Sequence, residues 1–432
     1  MKYLWHKIKE IEERNGILFI DGCNTLEIVE HYGTPLYVYS ENRIRKNYRR
    51  LLKAYSQHYP KFAIYYAIKA NNNLAIVRTL SSEGAGADCS CLGELEIAEK
   101  AGIPYERQIF SAAFPSQETL SKASEQGVLL NLENVSDLDR LPSTDTSNFL
   151  SFRINPGIGG SGSEGLVFSG KDAKFGIVES QVEDAYSKAQ KKGFKKFGVH
   201  MMTGSNILSP KYFEEITIKL LDIIGPITQK LGIVLEFIDI GGSLGTPYLP
   251  DEKELDINLV AEKTVCKLKK KLKEYQMGEP FLIHEPGRYL VADAGILLSK
   301  VTSIKETEQT FIGIDAGMNT FLRPALYNTY HHILLANRLK DPCDKNANVV
   351  GPICENTDQF AKNRALPSSI SIGDTLAFLD AGAYGFSMSS QYNTHPRPAE
   401  VLACSGNAEL IRKRENLSDL WRGVEVPKHL AL

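Results

Sequence analysis

Short apolar runs alternate with stretches of helical periodicity through the first two-thirds of the chain. In residues 209–232, apolar side chains recur every three or four positions, at Phe213, Ile216, Leu220, Ile223 and Ile224. The strand-like runs, most followed by a helical stretch, read PLYVYS, FAIYYAIKA, GADCSC, QIFSAA, VLLNLEN, FLSFRINP, KFGVHMM, VLEFIDIGG and FLIHEPG. Repeated strand–helix units predict a parallel sheet. Roughly eight units favour an α/β fold built on a closed (β/α)8 TIM-like barrel over an open doubly wound sheet.

The pattern changes near residue 290, where strand-like runs follow one another with short turns and few helices. These runs include ILLSKVTSIKE, TFIGIDAG, NVVGPICE, DTLAFLDAG and AEVLACSG. We therefore expect a barrel over residues 34–290 and a β-rich domain over 291–432. The N-terminal residues 1–33 contain a short strand pattern, GILFIDGCN, and are expected to join the β-rich domain. The glycine-rich stretch 157–165 predicts a mobile loop.

Composition is ordinary for a globular protein, with 43% hydrophobic and 24% charged residues among 432. The net charge of −2 argues against a nucleic-acid partner or an anionic membrane surface. Because no apolar run reaches membrane-spanning length and the first residues lack an apolar signal core, we expect a cytoplasmic protein. The seven cysteines are scattered, and the Cys89-x-Cys91 pair lacks further ligands, so we expect reduced thiols and no metal site.

Polar motifs follow several predicted strands at the ends where barrel enzymes collect functional residues. Lys69 ends FAIYYAIK, His200 ends KFGVH, a Gly-Gly-Ser-Leu-Gly turn (241–245) follows VLEFIDI, and Glu285 and Arg288 follow FLIH. Each motif alone is more often a surface lysine, an ordinary turn or a loop ion pair. Their coincidence at successive strand ends favours one functional cavity.

The chemistry of these motifs fits pyridoxal 5′-phosphate (PLP). Desolvation lowers the pKa of a half-buried lysine such as Lys69, and its amine can then form a Schiff base. The glycine turn offers backbone N–H groups to a phosphate, with Ser243 as an added donor. Glu285 could keep a pyridine nitrogen protonated. The β-rich region adds a second polar set, Arg323, Tyr327, Cys354, Glu355 and Tyr384.

The whole pattern resembles the fold-type III PLP-dependent decarboxylases, and their diaminopimelate branch more than the ornithine or arginine branches or the alanine racemases. The resemblance covers nearly the whole chain. The segments that carry it are YYAIKANNN, FRINPG, EPGRYLVADAG, RPALYNTYHHI and DAGAYGFSMSSQYNTHPRPAEVL.

The resemblance implies a role for each matching residue. Lys69 would carry the cofactor covalently with Asp88 nearby, Glu285 would pair with the pyridine nitrogen, and Cys354 would come from the partner subunit and deliver a proton. The implied cofactor-binding residues are Lys69, Asp88, His200, Met202, Ser205, Gly241, Gly242, Ser243, Gly245, Glu285, Gly287, Arg288 and Tyr384. The implied substrate-binding residues are Arg288, Arg323, Tyr327, Glu355 and Tyr384.

The sequence also departs from the family pattern His-x-His-Ile-Gly-Ser-Gln, which here reads HMMTGSN (200–206). The second histidine, which stacks on the cofactor ring in the family, is replaced by Met202. A thioether can touch an aromatic face but cannot stack or hydrogen-bond in the same way, so we expect lower cofactor affinity or rate. Ser243 replaces the usual third glycine of the phosphate turn, and Cys91 stands where serine or threonine is common.

The implied activity is decarboxylation of meso-2,6-diaminopimelate to L-lysine and carbon dioxide, by a homodimer with active sites at its interface. One alternative is the same reaction on ornithine, lysine or a carboxylated intermediate of siderophore, antibiotic or polyamine synthesis. A second alternative is a non-catalytic homologue, against which the presence of both Lys69 and Cys354 argues.

Overall fold

The computed structural model describes residues 8–141, 148–161 and 168–430. The chain divides into two compact units. The first comprises Arg43–Pro247 and Asp251–Ala292, and the second comprises Met1–Asn42, Tyr248–Pro250 and Asp293–Leu432. Part of the predicted glycine-rich loop, residues 162–165, lies outside the described residues.

Eight parallel strands close into a barrel in the first unit, which confirms the predicted (β/α)8 fold. Each strand pairs with the next along the chain, and the last pairs with the first. The strands are Phe62–Ala67, Gly86–Cys89, Gln108–Phe110, Leu129–Leu132, Phe149–Phe152, Lys196–His200, Leu235–Asp239 and Phe281–His284. A buried cluster made by side chains of five barrel strands includes Tyr65, Ile109, Leu129, Phe237 and Ile283.

Helices connect these strands, and their boundaries follow local capping rules. Asn73 and Asp256 accept hydrogen bonds from the first backbone N–H groups of the helices that follow them. The long helix Pro210–Leu231 buries the predicted apolar face, including Phe213 and Leu220. The helices are Glu41–Ser56, Leu74–Ser82, Leu92–Lys100, Gln117–Glu125, Val135–Arg140, Glu179–Lys192, Pro210–Leu231, Ile257–Glu274 and Arg288–Val291, with short 3₁₀ turns at Ile68–Ala70, Tyr105–Arg107 and Ala292–Ala294. Two short strand pairs, Ile154–Asn155 with Ile177–Val178 and Gly160–Ser161 with Gly204–Ser205, complete the unit.

The second unit is β-rich, as the sequence predicts. Ile11–Arg14, Ile17–Ile20 and Cys23–Asn24 form a small antiparallel sheet, followed by helix Thr25–Tyr32. A nine-stranded sheet contains Leu36–Ser40, Gly295–Glu306, Thr310–Ile314, Ile333–Leu335, Lys345–Val350, Gln359–Leu366, Thr375–Phe378, Ala399–Cys404 and Asn407–Arg412. The unit's remaining helical segments are Arg323–Tyr327, Phe386–Met388, Tyr392–Thr394, Leu417–Trp421 and Lys428–Leu430.

One strand lies in a different sheet from the one that the sequence predicts. Leu36–Ser40, within PLYVYS, is not a barrel strand but pairs with Gly295–Glu306 and with Ala399–Cys404 in the nine-stranded sheet. All five of its residues are buried, so a continuous apolar run suits either sheet. Its partners are more than 250 residues away along the chain, and no local pattern reveals such pairing. The barrel unit accordingly begins at Arg43 rather than at residue 34.

No helix among the described residues combines the length and the apolar character that crossing a membrane requires.

His284, at the end of the last barrel strand, makes the fold sensitive to acid. Its fully buried ring lies edge-on to Tyr55, with ring centroids 5.6 Å apart, and near Phe213. Burial lowers the pKa of His284 from 6.5 to about 4. Because the unfolded chain takes up this proton more readily, the stabilising contribution is complete above pH 6.5 and is lost as the pH falls toward 4.

We expect His284→Phe to reduce this acid sensitivity. The wild-type melting temperature should fall more steeply between pH 7 and pH 4 than that of the variant, by a difference equivalent to at most about 3 kcal/mol. The control is His429→Gln, because His429 is exposed. Identical pH profiles for wild type and His284→Phe would contradict the prediction.

Candidate active site

Lys69 lies just beyond the first barrel strand, in the short turn Ile68–Ala70. Its side chain is 46% exposed, and its Nζ donates a hydrogen bond of 2.5 Å to Oδ2 of Asp88, which is 2% exposed. Asp88 belongs to the neighbouring strand, so parallel pairing brings the two side chains to the same end of the barrel. The amine is therefore both accessible and held in place, as a covalent cofactor link requires.

Asp88 is a buried carboxyl group whose pKa lies close to neutral pH. Burial and the nearby Glu285 raise the pKa of Asp88 to about 6, although the Lys69 ammonium opposes the shift. Its Oδ1 is buried and has no hydrogen-bond partner among the described residues. Asp88 thus responds to the charge of the Lys69 amine and can accept or return a proton near neutral pH.

Glu285 follows the last barrel strand and is 5% exposed. His200, at the end of the sixth barrel strand, lies with its Nε2 3.1 Å from Glu285 Oε2. Burial alone would raise the pKa of Glu285, but His200 and Lys69 outweigh it and lower that pKa. Glu285 is therefore a carboxylate held at the barrel mouth, and its Oε1 has no hydrogen-bond partner among the described residues.

The turn 241–245 begins with two glycines, whose backbone lies close to residues of the His200–Asn206 and Glu285–Arg288 motifs. Gly241 has a φ of +66°, and a side chain there would lie 2.7 Å from the Met201 carbonyl oxygen. A side chain on Gly242 would lie 2.5 Å from the Glu285 carbonyl oxygen. Ser243 has a φ of +67°, which explains why glycine suits this position, and its Oγ donates to the Gly204 carbonyl at 2.9 Å.

Met202 lies against this turn. The backbone N–H of Gly242 points at Met202 Sδ at 3.2 Å, and Ser243 Oγ lies 3.7 Å from the same sulfur. The residue that replaces the expected histidine therefore contacts the groups predicted to bind the phosphate.

Four other predicted cofactor-binding residues, Ser205, Gly245, Gly287 and Arg288, lie at the same end of the barrel unit. Arg288 Nη2 donates to Ser205 Oγ at 3.3 Å. A side chain on Gly287 would lie 2.8 Å from the Ala70 Cβ, so glycine lets the last loop approach the turn that holds Lys69. Gly245 is equally confined, with the Asn206 carbonyl carbon at 2.8 Å from its notional Cβ.

The β-rich unit contains the remaining predicted residues, and it brings two of them together. Arg323 is 2% exposed, and its guanidinium carbon lies 5.3 Å from the Tyr248 ring centroid and 5.9 Å from that of Tyr384. Arg323 Nε donates to His331 Nε2 at 3.5 Å, while His331 Nδ1–H donates to the Leu379 carbonyl at 2.9 Å. The half-buried Tyr327 ends the same short helix that Arg323 begins.

Cys354 and Glu355 are exposed residues of this second unit. The Cys354 backbone N–H donates to Asn393 Oδ1 at 2.7 Å, which fixes the loop, and the Glu355 N–H donates to the Ile353 carbonyl at 2.7 Å. Their exposure excludes a role in the core. The catalytic role of Cys354 and the substrate contact of Glu355 stay predictions.

Sequence reasoning missed Asp239, the last residue of the strand before the glycine turn. It is fully buried and accepts the Gly241 N–H at 2.8 Å. The signal was present, because Asp239 directly precedes the turn at a strand end, but it lay inside the apolar run FIDI. Asp239, His200 and Glu285 also form the one potential metal-ligand group found among the described residues.

This donor set fits PLP. It supplies an accessible lysine amine, a buried carboxylate oxygen on Glu285 that has no hydrogen-bond partner among the described residues, and a turn whose Gly241 and Gly242 leave no room for a Cβ. The family model for the pyridoxal-binding domain of pyridoxal-dependent decarboxylases matches residues 42–292. The chain belongs to this family.

Relatives of this pyridoxal-dependent decarboxylase extend over its whole length. Diaminopimelate decarboxylase of Methanothermobacter thermautotrophicus is 45% identical over 416 residues, covering 96% of this chain and 97% of the relative. The Aquifex aeolicus enzyme of the same name is 38% identical and covers 94% of this chain and 95% of its own length. The crystal structure of diaminopimelate decarboxylase from M. jannaschii in complex with L-lysine has a TM-score of 0.90 at 35% identity, covering 98% of this chain and 99% of that one. The decarboxylase described here is therefore a PLP-dependent carboxy-lyase that acts on an amino acid.

Proposed function

We propose that this decarboxylase converts meso-2,6-diaminopimelate to L-lysine and carbon dioxide. The observation that carries the proposal is its similarity, over nearly the full length of both chains, to the diaminopimelate decarboxylase of M. thermautotrophicus. A related structure that contains L-lysine, the expected product, supports it.

Bound PLP supplies an electron sink for the pair released when the Cα–carboxylate bond breaks. Lys69 would hold the cofactor covalently, and Asp88, which accepts a hydrogen bond from its amine, would take up or return a proton there. Glu285 would keep the pyridine nitrogen protonated, and His200 would orient that carboxylate. The glycine turn 241–245, which includes Ser243, would hold the phosphate. Without the cofactor, its Gly241 N–H donates to Asp239 and its Ser243 hydroxyl to the Gly204 carbonyl.

The distal end of diaminopimelate carries both an ammonium group and a carboxylate. Arg323 and Arg288 are suited to the carboxylate, because guanidinium groups bind it in a bidentate manner, and Glu355 is suited to the ammonium. A simple diamino acid such as ornithine has no distal carboxylate for these guanidinium groups to bind.

Cys354 would deliver the proton that replaces the lost carboxylate at Cα. We propose that it does so from the partner subunit of a homodimer, with Tyr384 and Tyr327 completing the site. Its exposed position supports this role. A cytoplasmic location belongs to the same proposal, and the seven cysteines, all without disulfide bonds, are consistent with it.

A different amino-acid substrate is the second candidate, because Met202 departs from the family pattern. However, Met202 contacts Gly242 and Ser243 of the phosphate turn. Met202 is therefore placed to affect cofactor affinity, and its position gives no reason to expect a different substrate.

Carbon dioxide release from meso-diaminopimelate, ornithine and lysine tests the proposed function. We expect release from meso-diaminopimelate only, with L-lysine as the product. Release from another amino acid and none from meso-diaminopimelate would overturn the proposal.

We expect Arg323→Met to lower kcat/KM for meso-diaminopimelate by about 10- to 100-fold, mainly through a higher KM, because a charge-assisted pair to the distal carboxylate is lost. Arg323→Lys, which keeps the charge, should lose less. PLP absorbance and the melting temperature serve as folding controls. An unchanged KM in a folded Arg323→Met enzyme would contradict this role.

A further inference from the structure

Asp239 occupies a position that connects two parts of the cofactor site. It ends the strand Leu235–Asp239, its side chain has no exposed surface, and its Oδ1 accepts the Gly241 N–H at 2.8 Å. Its other oxygen, Oδ2, has no hydrogen-bond partner within the described ranges. An unpartnered oxygen at such depth is costly for a carboxylate, which normally accepts several hydrogen bonds.

Glu285 also has one carboxylate oxygen that lacks a hydrogen-bond partner among the described residues. Its Oε2 lies beside His200, and its Oε1 has no partner within the described part of the chain. Ligand atoms of Asp239, Glu285 and His200 all lie within 4.8 Å of one another. Two buried carboxylates this close cannot both stay ionised, so one proton is held between them.

The surrounding charges decide which carboxyl group carries that proton. Glu285 is stabilised as an anion by His200 and by Lys69, which lower its pKa. Asp239 has a single backbone N–H donor, and burial together with the negative charges of Glu285 and Asp88 raises its pKa well above the ordinary value. The neutral phenol of Tyr65, whose pKa is raised to about 12, also faces Asp239. These surroundings favour Asp239 as the carboxyl group that carries the proton.

We propose that Asp239 is a neutral positioning residue, whose carboxyl O–H donates to Glu285 and keeps that carboxylate ionised and oriented toward the pyridine nitrogen of PLP. Its other oxygen holds Gly241, the first residue of the phosphate turn. The Asp239 side chain thus sets the distance between Glu285, at the pyridine end of the cofactor site, and Gly241, at the phosphate end. This role depends on the PLP site alone and is independent of the substrate.

Asparagine can replace a neutral, donating aspartate, because its amide offers one donor and one acceptor at matching positions. We expect Asp239→Asn to keep PLP affinity and kcat within about threefold of wild type. Asp239→Ala should weaken PLP binding by about 10- to 100-fold, since it removes a buried hydrogen bond to a charged group. Glu236→Gln, an exposed carboxylate on the same strand, is the matched control and should change neither quantity.

A spectroscopic measurement tests the protonation state without reference to activity. Infrared spectra of the holoenzyme at neutral pH, with aspartate labelled by carbon-13 at its side-chain carboxyl, should contain an isotope-shifted band of a protonated carboxyl group. The band should disappear in Asp239→Asn and persist in Asp88→Asn. Two results would each overturn the proposal: a loss of PLP affinity in Asp239→Asn as large as that in Asp239→Ala, or no labelled protonated band in wild type. If Asp239→Ala does not fold, the PLP affinity of Asp239→Asn and the infrared spectrum still test whether Asp239 is protonated.

Discussion

Lys69→Ala is expected to lower kcat for decarboxylation by about 10⁴-fold or more, because it removes the proposed covalent anchor of PLP and the proposed proton-transferring amine. The variant should also lose the visible absorbance of the lysine-bound cofactor. The substitution leaves Asp88 without the ammonium that lies 2.5 Å away, so the pKa of Asp88 should rise above its present value of about 6.

Carbon dioxide release and the absorbance spectrum of purified protein with excess PLP check this prediction. Lys61→Ala is the matched control, since Lys61 is an exposed lysine just before the same strand and its Nζ donates to the Glu279 carbonyl. We expect the control to retain full activity. A Lys69→Ala enzyme with wild-type turnover would show that another amine carries the cofactor.

The barrel could be predicted from sequence because each of its strands is followed by a helix with its own apolar face, as in Pro210–Leu231. Leu36–Ser40 fits the same strand-then-helix pattern, because it is a buried strand followed directly by the helix Glu41–Ser56. Its membership in the other sheet depends on pairing with Gly295–Glu306, and only long-range packing determines that.

The site could be predicted where a polar residue interrupts an apolar pattern at a strand end, as Lys69 and Glu285 do. Asp239 does so as well, but its importance depends on its closeness to Glu285 and on one oxygen of each residue that has no hydrogen-bond partner among the described residues. The surroundings of Arg323 were also beyond sequence, because Tyr248 and His331 approach it only through tertiary structure. Local pattern therefore locates candidate groups, whereas the charge state of each group depends on the packing around it.

Glu285→Gln is expected to lower kcat by about 10²- to 10³-fold, the second largest effect. Glutamine keeps the size of the side chain and an oxygen that can accept from His200, which lies 3.1 Å from Oε2 in the wild type. It cannot provide the negative charge that, in the proposed mechanism, keeps the pyridine nitrogen protonated. The substitution should therefore lower kcat and have a much smaller effect on KM for the substrate.

Steady-state kinetics with saturating PLP separate these contributions. Glu279→Gln, an exposed glutamate just before the same strand, is the matched control and should behave as wild type. Because glutamine has no ionisable group, Glu285→Gln should also remove the like charge that raises the pKa of Asp239 and of Asp88. A variant with reduced kcat but with the pKa of Asp88 still near 6 would show that burial alone sets that value. A variant with unchanged kcat would show that the charge of Glu285 has no part in stabilising the protonated ring.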